Sequence, residues 1–468
     1  MLALPTDAAG RSRLLPASLP FRHFAAGAVF QLAGWLLLAF APEGVAAYTG
    51  GPGPSLAALH AFTLGALTMT ALGAGLQLLP VATVQPVRAV GLAKLLWWLL
   101  CGSLTLFIAG VARVDTAMAA AGATGTGVAL TAHAGLIAAN LLAARRFSAM
   151  IAYAWCALIA LLAVIASGPA LALQWRLGWL ADSRAVALSH LIVACYGFLG
   201  LLTVGYSYLL VSMFMVAKAP PERAQRALLV VGATAIAGCG GLAFTGVWPA
   251  GIAGFALLGL AAAVVYAVQM MRLTARRRSR VAPWSLALMR FAWFALPASV
   301  ALGAAIAAAG AAGAVVELGV GQGAQQAALG GLLTRLLSSG AGHAVFVVLT
   351  VLGWLGSFML AVALRIVPFL ASVHAKLRHG RLPLTSAMTP AAAARTVAIG
   401  HPLAVVTLLG GLIAGSDRLV SLAGVIGAAA SLAFIAFLIG VLRRAGVPGP
   451  GAAGWRERAS SPTPGEGG

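Results

Sequence analysis

The sequence predicts an all-α, polytopic membrane protein of about twelve transmembrane helices, arranged as three pseudo-repeats of four. Three observations predict it. Of the 468 residues, 61% are hydrophobic and only 8% are charged, against about 45–50% apolar in ordinary soluble domains. Apolar runs of roughly 20 residues recur along the chain, the length a helix needs to cross a hydrocarbon layer about 30 Å thick. Basic residues collect in alternate gaps between those runs, the asymmetry typical of cytoplasmic loops.

Runs bounded by Pro, Gly and charge place helices at 23–42, 56–80, 89–112, 117–143, 147–169 and 186–216 in the first half of the chain. The second half adds 226–247, 250–271, 283–312, 341–371, 391–414 and 418–442. The first run lacks a small-residue cleavage site and reads as a retained helix. Trp248-Pro249-Ala250-Gly251 divides an over-long apolar stretch into a hairpin. A single bundle is expected over 1–444, followed by a Gly-, Pro- and Ser-rich tail over 445–468 that reads as disordered and cytoplasmic.

One set of gaps carries Arg11, Arg13, Arg22, Arg88, Arg145, Arg146, Lys218, Arg223 and Arg226, then Arg272, Arg276, Arg277, Arg278, Arg280, Lys376, Arg378, Arg381, Arg443 and Arg444. The other holds only Arg113, Arg176, Arg184, Arg335 and Arg418, several beside Asp115, Asp182 or Asp417. The first set marks the cytoplasm, and an even number of spans puts both termini there. The net charge of +21 is thus explained by topology; membrane lipid is the expected partner, and no nucleic acid is expected. Cys101, Cys156, Cys195 and Cys239 lie inside apolar runs without C-x-x-C spacing, which argues against a disulfide framework or a zinc knuckle. Two outer connections are long. Leu171 to Arg184 holds Trp175 and Trp179, and Ala314 to Gly340 holds Gln322, Gln325, Gln326 and an amphipathic turn at Leu332 to Leu337; either is able to cover an outer-leaflet site.

Helices two, six and ten repeat a pattern in which a histidine near the outer end leads into a Gly-containing apolar run. His60-Ala-Phe-Thr-Leu-Gly65 runs on to Gln77-Leu-Leu-Pro80. Ser189-His190-Leu-Ile-Val runs on to Gly205-Tyr-Ser-Tyr, and Gly342-His343-Ala-Val-Phe runs on to Arg365-Ile-Val-Pro368. An imidazole in a span needs a partner for its ring nitrogens, and a pair at one depth can clamp a heme iron. Gly65, Gly73, Gly197, Gly200, Gly353 and Gly356 admit either a flat macrocycle or, more commonly, a neighbouring helix.

In helix count, repeat and histidine placement the chain resembles the subunit I superfamily of heme-copper oxidases and nitric oxide reductases. The resemblance implies that His60 and His343 hold a low-spin b-type heme and that Arg418 meets a heme propionate. His190 stands at a copper ligand's place in that family. Trp175 and Arg176 would cover the heme edge. The sequence also departs from the family. Val230 to Ala243 contains no histidine, only Cys239; Ala194 stands where some members have a tyrosine, although Tyr196, Tyr206 and Tyr208 lie along the helix. His343 lacks the family's paired histidine, with Ala341 and Val345 two positions away. Matched to the first of that pair it would leave the low-spin assignment unfilled; matched to the second, the high-spin site. Copper is therefore not expected, nor full oxygen reduction. The implied function is electron transfer or diatomic gas sensing, by a degenerate oxidoreductase in a bacterial-type inner membrane, with a donor protein or quinol as partner. A transporter or a structural protein without cofactor is the alternative reading.

The other histidines show no ligand spacing in the sequence. His133, with Asn140 further along, reads as a polar core contact, and His23 lies at the inner edge beside Arg22. His374 and His379 fall in a basic cytoplasmic loop, and His401 precedes Pro402 at a helix boundary or kink. Arg290, Arg365 and Arg395 are expected to snorkel. Acids are nearly absent from the spans, so a carboxylate relay is disfavoured.

Overall fold

The computed structural model describes residues 18–86, 89–246, 249–278, 283–317, 340–380 and 382–446. Among them, twelve helices are long and apolar enough to span a bilayer. These are α1 (Ser18–Phe40), α2 (Pro54–Thr83), α3 (Val90–Ala112), α4 (Thr116–Leu142), α5 (Ala149–Leu177) and α6 (Ser183–Met215). They are followed by α7 (Glu222–Thr245), α8 (Pro249–Ala275), α9 (Trp284–Ala311), α10 (Gly340–Lys376), α11 (Ala391–Ala414) and α12 (Asp417–Gly446). No strand occurs among the described residues, and the chain is an all-α, multi-pass membrane protein. The glutamine-bearing stretch with its amphipathic turn, Trp248 and the tail beyond Gly446 lie outside the described residues.

Local chemistry fixes many of the ends. Asp115 accepts hydrogen bonds from the backbone N–H groups of Ala117 and Met118, both at 3.0 Å, and so starts α4. Asp182 caps α6 through Ala185 N at 2.9 Å; such side chains take up donors that a helix's first turn leaves free. Gly178 and Gly415 close α5 and α11 in the left-handed region, at φ +60° and +62°, where a side chain would be strained.

Two expected boundaries move. α5 runs through Pro169 to Leu177, so Leu171 and Trp175 belong to its last turns and not to an interfacial loop. A spanning helix tolerates an internal proline when its neighbour accommodates the ring, and Gly127 of α4 does so: a Cβ there would lie 3.1 Å from Pro169 Cγ. α10 likewise runs beyond its expected end at 371, so its last turns carry His374 and His379, which the sequence suggested were in a loop.

The twelve helices form a closed ring of three four-helix units. In each unit the first and second helices pack together, as do the third and fourth; the fourth then packs on the first helix of the next unit, and α12 returns to α1. Glycine permits the closest of these contacts. At the closure, a Cβ on Gly424 would sit 2.4 Å from Ala39 N, and one on Gly427 would sit 2.1 Å from Trp35 Cδ2. The second helices, α2, α6 and α10, face inward, and α10 and α2 are the most enclosed of the twelve. Outward positions are held by apolar side chains such as Phe40, Leu95, Trp98, Ile159, Val230 and Phe294, which suit lipid rather than water.

Among the described residues no Asp, Glu, Lys or Arg is buried. Arg290 and Arg395 are exposed, whereas the guanidinium of Arg365 lies 5.3 Å above the ring of Phe214 on α6. A cation–π contact thus supplements snorkelling for that arginine.

Candidate functional site

Each inward helix contains one widened, π-helical segment: Ala61–Thr68 in α2, Val193–Gly200 in α6 and Leu349–Gly356 in α10. Such turns bond i to i+5, are rare, and occur often at functional sites. The three segments touch one another at the centre of the ring. Superposing them reveals a shared sequence pattern. The fifth residue is Gly65, Gly197 or Gly353, the seventh is Leu67, Leu199 or Leu355, and the eighth is Thr68, Gly200 or Gly356.

Physical reasons attach to these positions. At the fifth, a Cβ would lie 2.3 Å from Phe30, 2.9 Å from Ala160 or 3.1 Å from Ala295, in every case on the first helix of the same unit. At the eighth, the widened turn brings the carbonyl of the third residue close. Cysteine 195's oxygen would sit 2.9 Å from a Cβ on Gly200, and Val351's 3.1 Å from one on Gly356. In α2 the hydroxyl of Thr68 instead donates to Thr63 O at 2.9 Å. Gly73 packs in turn on His23, with its Cβ position 2.6 Å from that of the histidine. The six glycines singled out in the sequence therefore serve helix packing.

The histidines share the repeat but not its register. His60 immediately precedes its widened segment, His190 lies three residues before 193, and His343 lies six before 349. Since each helical residue turns by about 100° and rises about 1.5 Å, the three rings leave their helices in different directions and at different depths. His60 Nδ1 donates to Leu56 O at 3.0 Å, and its ring stands edge-on to Phe107 of α3 at 5.0 Å. His190 Nδ1 is 2.8 Å from Ser167 Oγ of α5. His60 thus lies against the third helix of the first unit, and His190 against the first helix of the second. Trp175 packs into the apolar cluster formed by Ala57, Ala61, Phe107 and Ala172.

His343 is placed elsewhere. It is exposed and lines a half-open cavity of about 470 Å³ between α5 and α10, whose wall His60 does not join. This cavity extends from Asp182, Arg184 and Gly246 near one face to Tyr153 and Tyr266 towards the other. Its walls are almost wholly apolar. Tyr196, in the widened turn of α6, stacks on Trp354 at 5.6 Å and lies 3.0 Å and 2.9 Å from the hydroxyls of Ser299 and Thr350. Gly232 also lines the cavity, and a Cβ there would meet nothing within 4 Å. Arg418 and Arg176 are exposed and do not line the cavity; Arg184 is the guanidinium at its rim.

Two other histidines gain defined roles. His401 Nε2 lies 3.1 Å from both Leu352 O and Ser357 Oγ, and Ser357 also donates to Leu352 O at 3.0 Å. A carbonyl in the widened turn of α10 is thus satisfied from α11. His23 and His133, far apart in sequence, come together with ring centroids 6.3 Å apart. Among the described residues no three His, Cys, Asp or Glu side chains converge as a metal site. No family model matches the chain, and no curated protein matches it.

Proposed function

We propose that this protein binds one b-type heme in the half-open cavity between α5 and α10, held by His343, and captures a diatomic gas there. The observation that carries this reading is the imidazole of His343 in the wall of an apolar cavity of about 470 Å³, within the roughly 300–1,000 Å³ of small-molecule and cofactor sites. The donor set suits the group. One neutral imidazole is a sufficient axial ligand, Phe346 and Trp354 offer flat apolar walls, and Gly232 leaves width where a side chain would intrude. Arg184 at the rim provides a cation for a propionate. A heme with a single protein ligand supplies an open position for oxygen or nitric oxide.

The chain's own residues would exclude water through the apolar wall and hold Tyr196 in place through Ser299 and Thr350. The closed ring of three four-helix units supports the resemblance to heme-copper oxidase subunit I. The clustering of basic residues supports a cytoplasmic assignment for the face at which α1 begins and α12 ends. Electron transfer through a His60–His343 pair receives less support, because His60 packs on Phe107 and does not line the cavity.

Detergent-purified protein, reduced and examined by visible spectroscopy with and without carbon monoxide, tests the reading. A heme band that shifts with carbon monoxide, is lost in His343→Ala and survives in His60→Ala is expected. A colourless protein that takes up no added hemin would overturn it, as would a bis-imidazole spectrum insensitive to carbon monoxide.

A further inference from the structure

A second histidine pair lies buried where α1 meets α4. His23 of α1 and His133 of α4 are 0% and 1% exposed, with rings perpendicular at 88° and centroids 6.3 Å apart. His23 Nδ1 lies 2.8 Å from Leu19 O, and His133 Nδ1 lies 2.9 Å from Ala129 O. A carbonyl only accepts, so each Nδ1 carries the proton and each Nε2 presents a lone pair. Both Nε2 atoms are buried and have no hydrogen-bond partner among the described residues. Two buried acceptors left without a donor are costly. An N–H bonded to a backbone carbonyl is also the arrangement that orients metal-ligating histidines.

We infer that the Nε2 atoms of His23 and His133 bind a monovalent soft metal ion, copper(I), in linear two-coordination. A metal–nitrogen bond of about 2 Å on each imidazole puts the ring centroids about 6 Å apart when they share one ion, close to the separation observed. Ligand number and charge select the ion. Zinc takes four ligands and copper(II) prefers a tetragonal set, whereas copper(I) is stable with two nitrogens. Two neutral imidazoles supply no compensating charge, and the cost of burying an ion rises steeply with its charge, so a single positive charge is favoured over two. The nearest guanidinium is turned aside: Arg22 Nε donates to Ser18 O at 3.1 Å, and its charge sits 5.2 Å above the Trp97 ring. Gly73 supports the site from α2, since its Cβ position would be 2.6 Å from His23 Cβ and a larger residue would displace the ring. The pair lies in the first unit, away from the cavity that holds His343, and is independent of any heme there.

The test uses the full-length protein in detergent, titrated anaerobically with copper(I) against a chromophoric chelator, followed by X-ray absorption on the loaded sample. One copper(I) per chain is expected, with two nitrogen neighbours at about 2 Å. That copper should be lost in His23→Gln and in His133→Gln and kept in His190→Gln, which controls for a histidine outside the pair. Helix content and monodispersity of each variant are measured alongside. Absence of copper(I) binding above that of the His23→Gln variant would overturn the inference and leave a pair bridged by water. Sulfur neighbours, three or more nitrogen neighbours, or loss of the copper in His190→Gln alone would overturn it as well. The absorption measurement on native protein decides the matter even if the variants fail to fold.

Discussion

Gly424→Ala should weaken the ring where the third unit meets the first. The added Cβ would lie 2.4 Å from Ala39 N and 2.6 Å from Ala39 Cα. Both are backbone atoms, so no rotamer change relieves the contact and α12 must move away from α1. Overpacking of this kind costs about 1–3 kcal/mol. The shift would also stretch the hydrogen bond from Ser421 Oγ to Ala39 O, 2.7 Å long here, with a net worth of about 1 kcal/mol. Alanine's better helix propensity returns up to about 1 kcal/mol, leaving a net loss of about 1–3 kcal/mol. Gly410→Ala on α11 is the control, because its Cβ would meet nothing within 4 Å; propensity alone predicts a change between zero and about 1 kcal/mol in the stabilising direction. Unfolding in mixed micelles with increasing dodecyl sulfate, followed by far-ultraviolet circular dichroism, reads both. Equal midpoints for Gly424→Ala and the native protein would refute the closed-ring packing described for α12 and α1.

Gly232→Leu should block the cavity without weakening the fold, since its side chain enters open space and leucine favours a helix by about 1 kcal/mol over glycine; heme content per chain falls while the unfolding midpoint holds. His401→Leu leaves Ser357 to satisfy Leu352 O and should cost about 1 kcal/mol. Adding Ser357→Ala leaves that carbonyl only the backbone N–H of Ser357 and should raise the total to about 2 kcal/mol, which the same unfolding assay measures.

The number of helices and their order were legible in the sequence because hydrophobic length and loop charge report them directly, and the recurrence of His60, His190 and His343 pointed to the inward position of α2, α6 and α10. The ends of α5 and α10 were not. Pro169 read as a stop, yet an internal proline removes one backbone donor without by itself ending a spanning helix, and Gly127 on α4 leaves room for its ring; α10 runs on past 371 into the basic segment that the sequence read as a loop. The histidine repeat led to His60 and His343 as a pair, whereas the structure sets His60 against Phe107 and His343 at a cavity between α5 and α10. Hydropathy cannot show a widened turn, and without it the rotation between the start of a helix and its end is unknown. The common Gly-x-Leu spacing at Gly65, Gly197 and Gly353 was the available signal. His23 and His133 left no signal of pairing, because their proximity depends on how α1 and α4 meet across the first unit.

The widened turns also separate two design problems within one helix. Each inserts a residue that an α-helix would not accommodate, so everything beyond it is rotated by about 100° relative to an uninterrupted rod. The half of α10 bearing His343 can therefore be aimed at a guest molecule while the half beyond Ser357 stays locked to its neighbours. Evolution could retune the first without disturbing the second. Removing one residue between Leu349 and Gly356 would couple them again, and the histidine would swing out of its chamber although no atom of the chamber had been changed.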